Sequence, residues 1–265
     1  MATERLKEVL AFVNHKGGVG KTTSVLSIGC LFAKWGKRTL LVDMDAQANL
    51  SSSLLEVESA ESIYYSLKDR KELPQIEIAP NLYLTPSSLD LAAIEVEIAG
   101  QIQREAALKR LIEPIRGQYD YILIDCAPSL GLLLINALTA ADRVYIPLTA
   151  ETLPYKGLTS LERVIEQVKE YLNSGLRVGG IFFTRWNNRK LNKEVDEAAR
   201  STYGDLILQA KVRENIAIAE APLAKQSISD YAPDSKGAAD YTAIAAEILN
   251  REQDSITLLS HKVIK

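Results

Sequence analysis

His15-Lys16-Gly17-Gly18-Val19-Gly20-Lys21-Thr22-Thr23 follows a short apolar run, Val9 to Val13, and leads straight into a helix-period segment from Lys21 to Trp35. Strand, glycine-rich loop and helix, in that order, form a phosphate cradle. Gly17, Gly18 and Gly20 let the backbone curl until successive N–H groups point inward, with the positive end of the helix dipole behind them. Lys21 is then placed to reach the β- and γ-phosphates of a nucleotide and the Thr22 hydroxyl to ligate Mg²⁺, while Val19 and Thr23 complete the wrapping segment. The ordinary pattern G-x-x-x-x-G-K-[ST] fails, because its first glycine falls on His15. What fits is K-G-G-x-G-K-T, which adds a second lysine, Lys16.

Outward from this loop, runs rich in Val, Ile and Leu recur at Thr39 to Val42, Leu82 to Thr85, Tyr121 to Ile124, Val144 to Pro147, Val178 to Phe183 and Leu206 to Gln209. Between them lie helix-period segments, about Leu89 to Ile112, Gly131 to Ala141, Gly157 to Leu172, Leu191 to Tyr203 and Ala238 to Asn250. Strands apolar on both faces need helices covering both faces. The spacing therefore predicts an α/β fold, a doubly wound and mostly parallel sheet with helices on both faces, and residues 1–265 as one unit. Ser51 to Ile78, mixed in charge and serine, reads as a surface insertion.

With 47% hydrophobic and 25% charged residues the 265-residue chain has ordinary globular composition, which excludes disordered and collagen-like classes. Lys and Arg number 31 against 34 Asp and Glu, so any polyanion must bind a local patch rather than the molecule at large. The two cysteines, Cys30 and Cys126, form no C-x-x-C and favour a reducing cytosol. The N-terminus lacks the pattern of a signal peptide and no apolar run reaches the ~18 residues of a membrane helix.

Asp125 ends the apolar run Tyr121 to Ile124, where a strand delivers a carboxylate to the edge at which doubly wound folds bind nucleotides. There it can hold Mg²⁺ through water. Asp43 and Asp45 close the second run and are expected to face opposite ways and do different jobs. Arg185, Asn187 and Arg213 follow strands on the same side.

These motifs together resemble the ParA/MinD family of deviant Walker A ATPases. Asp43-Met44-Asp45-Ala46-Gln47-Ala48-Asn49 is similar to D-x-D-P-Q-G-N, with Ala46 and Ala48 in place of Pro and Gly. Asp125-Cys126-Ala127-Pro128-Ser129-Leu130-Gly131 is similar to D-T-P-P-S-L-G, and Arg213-Glu214-Asn215, Glu220-Ala221-Pro222, Tyr231 and Ser235-Lys236-Gly237 match the C-terminal pattern. The resemblance spans Val9 to Leu249. It implies ATP with Mg²⁺ as cofactors, adenine as the base, Asp45 orienting the attacking water and Asp43 supporting the magnesium shell. It implies that Lys16 crosses a two-fold interface to the partner's nucleotide, so that ATP joins a homodimer with slow basal turnover.

The resemblance further implies a partitioning function: the ATP dimer binds double-stranded DNA without sequence preference, associates with the nucleoid in the cytoplasm, and is released when a ParB-type adaptor triggers hydrolysis. Arg189, Lys190, Lys193, Lys225 and Lys236 are the candidate DNA contacts, although Ala217 stands where a second arginine is common. A MinD-like, membrane-cycling ATPase is the alternative. Its amphipathic tail would be Ile256 to Lys265, which is short and lacks an aromatic residue, so stable membrane association is not expected. A nitrogenase-reductase-like electron carrier would need a pair of cluster-ligating cysteines, which Cys30 and Cys126 do not supply by position.

Overall fold

In the computed structural model the backbone is described for residues 7–57, 59–150 and 155–263, and the side chains for the same residues apart from 155–157 and 253–263. Seven strands form one sheet: β1 (Glu8–Phe12), β2 (Thr39–Met44), β3 (Ile76–Ala79), β4 (Leu82–Thr85), β5 (Tyr121–Cys126), β6 (Arg143–Thr149) and β7 (Arg177–Thr184), in the order β3-β4-β2-β5-β1-β6-β7. All neighbours run parallel except β3, which turns back antiparallel on β4 through Asn81 in the left-handed region, φ 66°.

The pleat of β1 explains the layers. Val9, Ala11 and Val13 bury into one cluster, with residues from helices α3 (Ile63–Asp69), α5 (Ala107–Arg116), α6 (Leu132–Ala140) and α7 (Tyr155–Tyr171). Leu10 and Phe12 bury into the other, with α1 (Lys21–Lys34) and α11 (Lys236–Val263). Successive strand residues point to opposite faces, so a strand covered on both sides has no polar position left in its middle. Five further helices complete the set used below: α2 (Asn49–Ser52), α4 (Ile94–Glu97), α8 (Lys190–Tyr203), α9 (Ile216–Glu220) and α10 (Ile228–Tyr231).

Three expectations are corrected. Leu206 to Gln209 is no strand: Ile207 makes one isolated bridge to Ile181, and the backbone beyond is taken by side chains, with Glu247 accepting the N–H groups of Gln209 and Ala210. Leu89 to Ile112 is not one helix but α4, the start of α5 and two 3₁₀ turns, broken where Gln103 adopts φ 57°. Its apolar spacing survives, since Leu91, Ile94 and Ile98 are buried. Ser51 to Ile78 is part of the fold, because α3 sends Ile63, Tyr64 and Leu67 into the core.

At the end of the sheet away from the loop, α11 is fastened by a buried ionic group. Tyr145 donates to Glu252 at 2.6 Å, and Arg143 pairs with Glu252 and, at 3.9 Å, with Glu8. Burial, then the charges of Asp142 and Glu252, push the Glu8 carboxyl up to about 7. Between 4.5 and about 7 the folded protein holds a proton on Glu8 that the unfolded chain has released, so stability falls as pH rises through that window. Melting temperature should decline over this range, and Glu8→Gln should flatten the decline; an unchanged slope in the variant would remove Glu8 from the linkage.

Candidate nucleotide site

The loop at residues 15–20 is held before any ligand is considered. Asn14 donates its side-chain amide to the Pro147 carbonyl at 2.8 Å and accepts the Lys16 N–H at 3.0 Å, anchoring the loop to β6. On the far side the Thr184 hydroxyl, at the end of β7, lies 2.9 Å from the Val19 carbonyl. Gly18 and Gly20 have φ 72° and 83°, a left-handed backbone that L side chains rarely adopt. Gly20 is the N-cap of α1, so the first N–H groups of that helix face the loop's concavity. The Lys21 ammonium lies across the loop, donating to the Lys16 carbonyl at 3.1 Å. Burial lowers its pKa, against the opposing pull of Asp125 and Asp45.

Strand register brings the acids together. Asp125 is level with Phe12 on β1 and with Asp43 on β2, so two buried carboxylates stand on adjacent strands at the loop's end of the sheet. Burial first, and the Asp43 charge second, hold Asp125 well above the usual carboxylate range, while the Thr22 hydroxyl and Lys21 pull it down. Among the described residues neither Asp125 oxygen makes a hydrogen bond of normal geometry. A buried carboxylate with free lone pairs beside a threonine hydroxyl is a donor set suited to a hard cation.

Asp43 is occupied differently. It accepts the Asp45 N–H at 3.1 Å, and from Ser51 both the N–H at 2.9 Å and the hydroxyl at 2.7 Å. Ser51 in turn accepts the Ser87 N–H at 2.9 Å. Asp43 thus folds the turn that presents Asp45, and its contribution to a cation is its charge. The expected divergence of Asp43 and Asp45 is not found: a pleat returns to one face every second residue, and both charges act on Asp125. The jobs still differ, because Asp45 leaves the strand end, accepts the Gln47 N–H at 3.0 Å and lines an open cleft. Ala48, which stands where glycine was expected, has φ 50°, the backbone that makes glycine the easier residue there.

Two clefts meet at the loop, both lined by Gly18, Gly20 and Thr23. One, of about 470 Å³, has Thr184, Arg185, Val212, Arg213, Asn215 and Ile216 on its walls. The other, of about 630 Å³, contains Lys21, Thr22, Asp45, Pro128, Leu223 and Lys225 and is the phosphate side. Arg213 is held by Asp240 through contacts of 2.6 to 3.2 Å. Val212 and Ile216 escaped the sequence reading, and Asn215 entered it only as part of the motif Arg213-Glu214-Asn215. Asn187 does not line the cleft, and its side chain accepts the Arg189 N–H at the start of α8.

A profile of the family described as "AAA domain" matches residues 7–178. The chromosome-partitioning ATPase Soj of Treponema pallidum is 40% identical over 249 residues, covering 92% of this chain and 98% of that protein. The chain belongs to the ParA/MinD family of deviant Walker A ATPases. Among solved structures, cobyrinic acid a,c-diamide synthase of Mycobacterium smegmatis with bound ADP and magnesium has a TM-score of 0.82 at 32% identity, covering 94% of this chain and 96% of that one. The septum site-determining protein MinD of Pyrococcus horikoshii, complexed with Mg-ADP, has a TM-score of 0.77 at 26% identity, covering 91% and 95%. Family membership carries the fold, a P-loop NTPase sheet with helices on both faces, as described above.

The candidate DNA contacts of this family member do not form one set. Arg189, Lys190 and Lys193 stand exposed at the start of α8, and Lys190 meets Glu194 at 3.5 Å with its side chain 92% exposed, a contact worth little. Lys236 is exposed at the first turn of α11. Lys225 instead donates to the Ser52 carbonyl and lines the phosphate-side cleft. Both cysteines are buried, Cys30 in α1 and Cys126 at the end of β5. Among the described residues no helix is long and apolar enough to cross a membrane, and the side chains of the tail Ile256 to Lys265 lie outside them.

Proposed function

We propose that residues 1–265 act as one ATP-hydrolysing partitioning switch, which binds MgATP, pairs with a second copy and in that form holds double-stranded DNA until a ParB-type adaptor triggers hydrolysis. The observation that supports the ATPase reading best is the convergence of Lys21, Thr22, Asp45 and a buried, unpartnered Asp125 on one side of the glycine loop. The N–H groups of residues 17–23 and the Lys21 ammonium take the β- and γ-phosphates. Thr22 and Asp125 hold Mg²⁺, with Asp43 adding charge. The ion, when bound, neutralises charge on the phosphates. Arg213 borders the base, adenine by the names of the nucleotide-bound neighbours.

The fold hosts proteins with different printed names, so the partitioning reading rests on the site and on relatives such as Soj rather than on architecture. Lys16 supplies the trans contact that joins the homodimer, and hydrolysis without the adaptor is slow. A cytoplasmic, nucleoid-associated protein follows if Arg189, Lys190, Lys193 and Lys236 meet phosphates. Two weak patches on one duplex gain affinity because the second contact is intramolecular, by about 10²-fold or more.

Anisotropy of a labelled random-sequence duplex tests this. Binding should appear with ATP, be weak with ADP and decline linearly in log affinity against log salt, the mark of counterion release. Lys16→Ala should lose the ATP-dependent gain along with the dimer seen by light scattering, and Arg189→Glu with Lys190→Glu should weaken DNA binding while the dimer persists. Equal affinity with ATP, ADP and no nucleotide, or none with ATP at low salt, would overturn the DNA switch and turn attention to vesicle binding.

A further inference from the structure

The loop from Cys126 to Gly131 connects Asp125 to α6, and its downstream end is held by a residue from another part of the chain. Gly131, the N-cap of α6, has no side chain with which to cap the helix, and the first rung of the ladder is the Ile135 N–H donating to the Gly131 carbonyl. The Leu133 N–H would be one of the unbonded groups of a first turn. It donates instead to Oε1 of Glu95, at 3.2 Å, from α4. A Cβ placed on Gly131 would stand 2.5 Å from the same Glu95 oxygen. The carboxylate therefore lies directly on the last residue of the loop, in the field of the helix N-terminus, which favours a negative charge there.

Both partners of this contact are rigidly mounted. Ile94 and Ile98, on either side of Glu95, are fully buried. Asn136, one turn into α6, is also buried and exchanges hydrogen bonds with the Leu108 N–H and the Arg104 carbonyl. The opposite end of the loop is the Asp125 strand end, and in between Pro128 forms a wall of the phosphate-side cleft facing Lys21, Thr22 and Asp45. A loop this short with one end fixed by a strand takes its shape from where the other end is fixed.

We propose that Glu95 is a positioning residue, whose carboxylate clamps the start of α6 and so sets the Asp125–Gly131 wall of the phosphate-side cleft. The inference rests on the ATPase reading, and it assigns the 89–98 segment a task in hydrolysis although that segment does not line the cleft. A side chain at 131 would push the Glu95 carboxylate off this position.

Hydrogen exchange on the nucleotide-free protein, read beside hydrolysis and calorimetric ATP affinity, tests the clamp. Glu95→Ala should speed exchange across residues 127–134 by about tenfold, the size of a lost helix cap, and leave exchange in β5 and α1 unchanged. Its kcat should fall about tenfold with ATP affinity held within about twofold, because misplacement of a wall affects orientation more than binding. Glu95→Gln keeps an acceptor oxygen and should recover most of both properties. Gly131→Ala should reproduce the Glu95→Ala defect, and the double variant should be no worse than either single one. Unchanged exchange in Glu95→Ala, or additive defects in the double variant, would overturn the clamp. Faster exchange with wild-type kcat would overturn the positioning role. Absence of hydrolysis in the unsubstituted protein would strike the ATPase reading, and the exchange data would still decide the clamp.

Discussion

Replacing Lys21 by alanine is expected to weaken MgATP binding by about 10²- to 10³-fold, the cost of removing one partner from a buried set of charges. Lys21 is 6% exposed and is the cation that Asp125 and Asp45 both feel. Without it, the protein itself supplies no buried positive charge between the phosphates of a nucleotide and Asp43, Asp45 and Asp125, and only the Mg²⁺ that arrives with the nucleotide would be left to offset them. Backbone N–H groups of the loop remain, and they are neutral dipoles that cannot offset a cluster of carboxylates. Alanine is well tolerated at the first position of a helix, so α1 should persist and circular dichroism should be unchanged. Calorimetric titration with MgATP and with ADP measures the effect. An affinity within a few-fold of the unsubstituted protein would show that the loop N–H groups alone carry the phosphates.

The same side chain shows which parts of the site can be read from sequence. Residues 16–23 were legible because glycine and lysine identities dictate local geometry: positive φ at Gly18 and Gly20 and a helix starting at Lys21 follow from the residues themselves. Asp125 was legible because an apolar run ending in a carboxylate places that carboxylate at a strand end. The other cleft's wall was not, since Val212 and Ile216 come from a segment with almost no ladder of its own, joined to β7 by the bridge between Trp186 and Arg213, and Asn215 was in view only as part of a motif. Nor was the occupation of Asp43, which depends on Ser51 eight positions on and Ser87 beyond it. Lys225 shows the converse limit: a basic residue looks alike in sequence whether it faces solvent or, as here, a carbonyl such as that of Ser52. Local geometry is encoded locally, and the rest of the site depends on what the fold brings near.

That division bears on hydrolysis, where the largest loss of rate should come from Asp45. Its N–H is fixed by Asp43 and its carboxylate by the Gln47 N–H, so the side chain is held at the mouth of the phosphate-side cleft with one oxygen still available to a water. The residues proposed to grip phosphate, Lys21 and Thr22, and the one proposed to hold the cation, Asp125, lie on other elements. Binding and water orientation therefore use separate groups, and Asp45→Ala should leave ATP affinity and dimer formation near normal while kcat falls by about 10²- to 10⁴-fold, the usual range for a lost proton acceptor. Asp45→Asn sharpens the reading, because the amide oxygen can still accept the Gln47 N–H and preserve the turn. If the carboxylate only oriented water, asparagine should recover much of the rate; if it accepts the proton, asparagine should be nearly as slow as alanine. Single-turnover hydrolysis with nucleotide in excess of its dissociation constant separates these cases from a binding defect. Turnover at the unsubstituted rate in both variants would remove Asp45 from the chemistry and leave it as the residue that shapes the turn before α2.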